Sequence, residues 1–283
     1  MLLDQFIQAK EGLEPVWQEI QEGKQTVSLE GISGSGKAFF LALLFRRTSR
    51  SILVLTPDST SAREFYEDLA FFLNPPLKKR GSAHGTGKEL TLLEATAVYV
   101  KEAYFFHEIP FPIGPSLEAI GNRLDTLEQL LSCRKILTVS STAAVLRRVL
   151  PRKVLAKTTT LLEVKGLQEL GELEEIAIER GYRRVDEVED RGEFAVRGGI
   201  FDIYTPGYAN PLRIELNDDE IESIREFDLA SQKSIRLLEK ARLLPIREFF
   251  SDSGKERETI FDYLPDDGLI VLDDVSSIYQ QVR

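Results

Sequence analysis

Residues 192–228, GEFAVRGGIFDIYTPGYANPLRIELNDDEIESIREFD, decide how the middle of this chain folds. Short apolar stretches alternate here with polar residues, and turn residues separate them at Gly198-Gly199, Pro206-Gly207 and Asn217-Asp218-Asp219. Closely spaced strands joined by such turns are typical of an antiparallel meander, whereas parallel strands need longer crossover connections. The sequence therefore predicts consecutive antiparallel strands in this stretch.

The meander belongs to a larger module. Leu167–Arg180 is amphipathic and stops at Gly181, which predicts one helix before the first strand. A further strand is predicted at 241–246, ARLLPI. We therefore assign residues 154–245 to one α+β domain with an antiparallel sheet.

The flanking residues 1–153 and 246–283 have a different pattern, in which helical stretches alternate with short apolar strands. Such alternation favours βα units and a parallel sheet. The predicted strands are Val27–Leu29, Ile52–Thr56, Ala97–Val100, Ile136–Val139 and a buried Leu269–Leu272, and the predicted helices are Ala38–Arg47, Ser61–Leu73 and Leu117–Leu131. The fold class is thus an α/β lobe, with a small insert at about 74–115 and with the 154–245 domain inserted into it.

A glycine-rich loop, Gly31–Ala38 (GISGSGKA), lies between a predicted strand and a predicted helix. Gly31, Gly34 and Gly36 would let backbone N–H groups approach a phosphate, and Lys37 would reach its terminal oxygens. Ala38 stands where this motif needs a Ser or Thr hydroxyl to ligate Mg²⁺. The motif indicates a phosphate-loop fold without catalysis. We predict no cofactor, metal site or catalytic residue, and residual binding of ATP, ADP or another anion at Gly31–Lys37 stays open.

Asp273 and Asp274 follow the last predicted strand. Phosphate-loop folds place there the acids that hold Mg²⁺ and polarise the attacking water. Two acids at a strand end are also a common surface feature. We assign them to a degenerate nucleotide-binding site, with the surface role as the alternative.

Charge and composition exclude several function classes. The 283 residues carry a net charge of −10, and residues 154–245 contain 13 basic and 20 acidic side chains. No segment has the basic excess that binding to a phosphate backbone requires, so autonomous DNA binding is not predicted. No apolar run approaches the ~18 residues of a membrane span. The single cysteine, Cys133, suits a reducing cytoplasm.

Several motifs together resemble those of a known family. Residues 181–228, with ILVLTPDSTSAREFYEDL at 52–69 and DYLPDDGLIVLDD at 262–274, are similar to the N-terminal part of bacterial transcription-repair coupling factor and to its relative, the excinuclease B subunit (UvrB). The resemblance covers nearly the whole chain. It implies a degenerate P-loop, helicase-like (RecA-like) lobe with an inserted domain of the type that binds the excinuclease A subunit (UvrA).

Three departures separate these two relatives. The loop ends in GKA where the excinuclease B subunit has GKT, and Asp273-Asp274-Val275-Ser276 replaces its DESH-like motif. After AYFFHEIPFP at 103–112 the sequence passes directly to a helix, which leaves no room for a strand-separating hairpin. The departures favour the coupling factor, whose N-terminal module is not an enzyme although the full-length protein is an ATP-dependent DNA translocase. The alternatives are a nucleotide-dependent DNA-repair helicase fragment related to the excinuclease B subunit, and an anion-binding relic.

The resemblance also implies the partners. The inserted domain would recruit the excinuclease A subunit to stalled transcription in nucleotide excision repair. RNA polymerase and DNA would be bound by other parts of the parent chain. Arginines carry the contact to the excinuclease A subunit in related domains, and the matching positions are Arg183 or Arg184 and Arg197, whereas Ala195 replaces one arginine.

Strand alternation gives these positions a geometry. Phe194 and Val196 would face the core, with Glu193, Ala195 and Arg197 on the opposite face. An outward guanidinium suits a bidentate contact with a partner's carboxylate.

Two alternatives remain on this surface. Arg197 would otherwise form an internal ion pair with Glu193, Glu215 or Asp202. Phe201 is assigned to the partner contact, with core packing as its alternative.

Overall fold

The structure, a computed structural model, describes residues 13–74, 103–109, 116–132, 135–247 and 258–282. The helices are residues 13–21 and then α1 (Ser35–Arg47), α2 (Ser59–Leu73), α3 (Leu117–Leu131), α4 (Thr142–Val145), α5 (Arg152–Thr158), α6 (Leu170–Glu179), α7 (Ile260–Tyr263) and α8 (Val275–Val282). The strands are β1 (Ile52–Thr56), β2 (Ala103–Phe106), β3 (Leu137–Ser141), β4 (Thr160–Glu163), β5 (Arg183–Arg184), β6 (Glu193–Arg197), β7 (Ile200–Ile203), β8 (Leu212–Asn217), β9 (Glu220–Phe227), β10 (Ser234–Leu238), β11 (Lys240–Leu243) and β12 (Leu269–Leu272). The prediction of a mixed α/β chain with parallel and antiparallel sheets is confirmed.

The chain divides into two compact units. The first falls within Met1–Phe105, Lys135–Ser140 and Asp266–Arg283, and the second within Phe106–Arg134 and Ser141–Pro265. Within the described residues, no helix is both long and apolar enough to cross a membrane.

The first unit contains most of a four-stranded sheet in the order β12-β1-β3-β2, in which β12 runs parallel to β1. All five residues of β1 are buried, as a central strand covered on both faces should be. Helix α1 buries Phe40 and Phe45 in the same core, and α2 buries Leu69. The Asp58 carboxylate caps α2 by accepting the Ser61 N–H at 2.8 Å.

Three sequence predictions for the first unit need comment. The strand predicted at Val27–Leu29 is wrong: residues 26–30 are not in a strand, and Leu29 is about half exposed, so this short stretch gains little from burial. β12 is not buried throughout, because it lies at the sheet edge and exposes Ile270 and Leu272. The strand predicted at Ala97–Val100 lies outside the described residues, as does most of the 74–115 insert, whereas residues 103–106 form β2.

The second unit is built on a six-stranded sheet in the order β10-β9-β8-β7-β6-β5. The strands from β6 to β10 are antiparallel neighbours, which confirms the predicted meander, and β5 pairs parallel with β6. The predicted strand at 241–246 does not join this sheet. It contributes β11, which pairs with β4, and the unpredicted β10 lies beside β9.

The core of the second unit lies on one face of the six-stranded sheet. Phe194 and Phe201 are fully buried there, with ring centroids 5.6 Å apart, and Ile214 and Ile224 lie beside them. Leu173 of α6 is buried in the same cluster. The apolar alternation of the strands therefore fixes which face is covered.

Candidate protein-interaction surface

The opposite face of this sheet carries a row of charged side chains, which we call the arginine face. Residues that are paired across neighbouring strands point to the same side of a sheet. Ala195, Asp202, Arg213 and Arg225 form one such row across β6 to β9. The arginine face comprises Arg183, Glu193, Arg197, Asp202, Arg213, Glu215 and Arg225.

The centre of the arginine face is a buried carboxylate held by a guanidinium fork. Arg213 donates from Nε to Asp202 Oδ1 at 2.7 Å and from Nη2 to Asp202 Oδ2 at 2.9 Å. The Asp202 side chain is 2% exposed, and its hydrogen bonds raise the pKa of the Arg213 guanidinium. Arg213 Nη2 also donates to Gln232 Oε1 at 2.9 Å, and its guanidinium lies 4.4 Å from the centre of the Phe227 ring. Arg213 is therefore fixed from several sides.

Arg197 makes a looser contact with the same carboxylate. Its Nη2 donates to Asp202 Oδ2 at 3.1 Å, and half of its side chain is exposed. The ion pair to Asp202 that the sequence left as an alternative is present. It coexists with the exposure that a partner contact requires.

Arg183 and Arg184 point in different directions, as adjacent strand residues should. Arg183 pairs with Glu193 on the arginine face and is 73% exposed. Arg184 instead pairs with Glu174 of α6 at 2.5 Å. Arg183 is therefore the one of the two that shares a face with Arg197.

Glu193 lies on the predicted face but is buried. Burial raises the pKa of its carboxyl, but hydrogen bonds from the N–H groups of Glu189 and Asp190, at 2.9 Å each, and from Arg183 outweigh burial. The pKa of Glu193 therefore lies below its ordinary value. Ala195 is also buried, beneath Val188 and Tyr204, so only part of this sheet face meets solvent.

Phe201 requires a correction. Its side chain is fully buried against Phe194, on the face opposite the arginines. It is a core residue and offers no surface to a partner in this arrangement.

The phosphate loop brings together two of the predicted residues. Lys37 Nζ donates to Asp273 Oδ1 at 2.6 Å, although 236 positions separate them in sequence. Gly31 and Gly34 have φ of 84° and 54°, in the left-handed region that favours glycine. Gly36 lies in the first turn of α1, next to Ser35, where the helix begins.

Ala38 offers no polar group to this site, and the Asp274 carboxylate is hydrogen-bonded to Ser277. Ala38 is buried in the core of the first unit. The Asp274 carboxylate accepts the hydroxyl of Ser277 at 2.6 Å and its N–H at 3.2 Å, and these bonds lower the pKa of Asp274. The described part of the chain contains no cluster of three His, Cys, Asp or Glu side chains able to hold a metal ion.

Residues 162–249 match the family model described as the UvrB interaction domain. The matched segment contains all the strands of the six-stranded sheet and therefore the arginine face. The resemblance predicted from the sequence is confirmed.

The chain is also similar to curated proteins over most of its length. The transcription-repair-coupling factor of Bacillus subtilis (strain 168) is 30% identical over 243 residues, which cover 86% of this chain and 19% of that protein. The Escherichia coli (strain K12) coupling factor is 26% identical, with 93% and 21% covered. UvrABC system protein B of Thermosipho africanus is 24% identical, with 88% and 36% covered. The chain thus spans about a fifth of the length of the coupling factors it matches.

Sequence reasoning missed two members of the arginine face, Arg213 and Arg225. Both occupy alternate positions in predicted strands, LRIEL and IESIREF, and both are paired with each other across β8 and β9. That alternation placed them on the polar face. Only the register of β7 against β8 shows that Arg213 reaches Asp202.

Proposed function

We propose that this chain is the N-terminal protein-interaction module of a transcription-repair coupling factor. In this proposal the UvrB interaction domain recruits the excinuclease A subunit, UvrA, to stalled transcription in nucleotide excision repair. The match of residues 162–249 to that domain carries the proposal. RNA polymerase and DNA would be bound by parts of the parent chain outside this sequence.

The arginine face supports this role chemically. Arg183 and Arg197 lie on one side of the sheet, and at least half of each side chain is exposed. A guanidinium presents a planar fork that matches a carboxylate, so an acidic segment of the partner would find two such groups there.

The first unit supports a non-catalytic role. We propose that it is a degenerate RecA-like lobe, in which Ala38 supplies no oxygen for Mg²⁺ and Asp273 already engages Lys37. For ATP hydrolysis, a helicase fragment related to the excinuclease B subunit would need a Ser or Thr hydroxyl at position 38 and an acid at position 273 that engages Mg²⁺. These two features favour the coupling factor over that alternative.

The test compares two arginines that are similar in exposure but lie on different faces. Arg197→Ala should weaken binding of the excinuclease A subunit by about 2 kcal/mol or more, because a partner carboxylate would lose its charged donor. Arg236 is the matched control: it is 61% exposed and pairs with Glu226, which is buried on the core side of the sheet. Arg236→Ala should change the affinity by less than about 0.5 kcal/mol. Binding isotherms and thermal melts of each variant give both readouts.

Two results would count against this assignment. If Arg197→Ala and Arg236→Ala lose equal affinity for the excinuclease A subunit, binding does not depend specifically on the arginine face. Unchanged affinity in Arg197→Ala, with a normal melt, would place the recruiting surface elsewhere.

A further inference from the structure

We propose that Arg213 is a positioning residue that keeps Arg197 available to a partner's carboxylate, an inference that rests on the proposed function. Arg213 is only 17% exposed, so it is poorly placed to touch a partner itself. Its effect would pass through Asp202, the carboxylate that both arginines share.

Arg213 and Arg197 bind the Asp202 carboxylate with different geometry. Arg213 donates to both oxygens, at 2.7 and 2.9 Å, whereas Arg197 donates only to Oδ2, at 3.1 Å. Bidentate charged hydrogen bonds are the stronger arrangement. Asp202 therefore depends on Arg213 far more than on Arg197.

Burial makes this inequality important. A buried carboxylate that loses its charged partner is strongly destabilised. Because Arg213 still holds both oxygens when Arg197 swings away, Asp202 stays compensated. Arg197 can then exchange an internal contact for one with the partner at little cost to the fold.

The other exposed arginines of the sheet lack this arrangement in the structure. Oε1 of buried Glu193 accepts from Arg183, and Oε1 of buried Glu226 accepts from Arg236. No second guanidinium is recorded at either carboxylate among the described residues. Arg197 is therefore the arginine whose departure is compensated by a second guanidinium already in place.

A substitution at Arg213 tests the idea in the whole 283-residue chain. Arg213→Lys keeps the charge but replaces the fork by a single point contact. Asp202 should then draw Arg197 onto its vacated oxygen, and affinity for the excinuclease A subunit should fall by about tenfold, the size of one charge-assisted hydrogen bond. Arg236→Lys is the matched control, because Arg236 also donates to a buried carboxylate, that of Glu226, but lies outside the arginine face. Its affinity should change less than about twofold.

Neutralising Asp202 separates positioning from other roles. In an Asp202→Asn background the carboxylate that competes for Arg197 is gone, so Arg213→Lys should cause no further loss of affinity. A loss that persists there would overturn the proposal, since Arg213 would then contact the partner or simply support the sheet.

A measurement without the partner tests the same claim independently of the proposed function. The Nε–Hε NMR signal of Arg197 should show fast motion in the wild-type chain and restricted motion in Arg213→Lys. An Arg197 that is equally mobile in both would overturn the positioning role. If the motion of Arg197 differs between the wild-type and Arg213→Lys chains but the wild-type chain does not bind the excinuclease A subunit, only the proposed function is refuted.

A milder variant covers the case in which Arg213→Lys does not fold. Gln232→Asn shortens the side chain that braces Arg213 Nη2 at 2.9 Å and leaves Arg213 itself in place. It should restrict Arg197 and weaken binding in the same direction but by less. No change in either readout would contradict the proposal.

Discussion

Lys37 and Ala38 show how two adjacent residues decide what the phosphate loop can do. The loop keeps the glycine conformations of an anion cradle, at φ of 84° and 54°. Its lysine, however, donates to Asp273, so an incoming phosphate would have to displace a carboxylate. A buried methyl group at Ala38 adds no metal ligand.

At this scale we predict no ATP hydrolysis above background, with or without DNA. Ala38→Ser and Ala38→Thr should not create activity, because one hydroxyl does not release Lys37 from Asp273. A steady-state phosphate-release assay checks this. Turnover of about 1 s⁻¹ or faster, in the range of working phosphoryl-transfer enzymes, would refute it.

At the scale of single elements, the β6–β7 hairpin depends on a close backbone approach. Gly199 lies where an added Cβ would come within 2.7 Å of the Leu216 carbonyl oxygen, and its own carbonyl accepts the Leu216 N–H at 2.8 Å. The hairpin that carries Arg197 is therefore positioned directly against β8.

Gly199→Ala should lower the free energy of unfolding by about 1–3 kcal/mol, because the methyl group forces the hairpin away from β8. The control is Gly171 in α6, where an added Cβ meets nothing within 4 Å. Gly171→Ala should raise stability by about 0.5 kcal/mol through helix propensity. Urea denaturation of both variants measures the difference, and a Gly199→Ala chain as stable as wild type would show that the hairpin tolerates displacement.

The elements also show what the sequence could predict. α3 was predicted with its observed bounds, because its apolar period is clear and Ser116 provides a cap. β10 was missed because four of its five residues are exposed, so it lacks the burial pattern of an inner strand. The pairings of β11 with β4 and of Arg213 with Asp202 depend on which strands become neighbours, and local periodicity does not determine that.

At the scale of the whole molecule, residues 154–245 contact a helix that lies outside this range. In the second unit, Arg242 lies 2.9 Å from Glu128 of α3, and Pro206 approaches Gly121 of the same helix closely. A domain cut at 154 and 245 leaves these surfaces without α3.

We predict that residues 154–245 nevertheless fold alone, because the six-stranded sheet, α6 and all of their shared buried core except Ile246 lie within this range. The isolated segment should give dispersed amide NMR signals and unfold cooperatively, at a lower temperature than the whole chain. A molten or aggregated product would contradict the boundaries.

A calorimetric titration of the excinuclease A subunit into the whole 283-residue chain shows whether this chain binds it through the arginine face. We expect saturable binding that is retained by the Arg236→Ala chain and weakened about 30-fold or more by Arg197→Ala, the equivalent of about 2 kcal/mol. A well-folded wild-type chain that produces no binding heat, and no binding in a parallel pull-down, would contradict the claim that this sheet recruits the excinuclease A subunit.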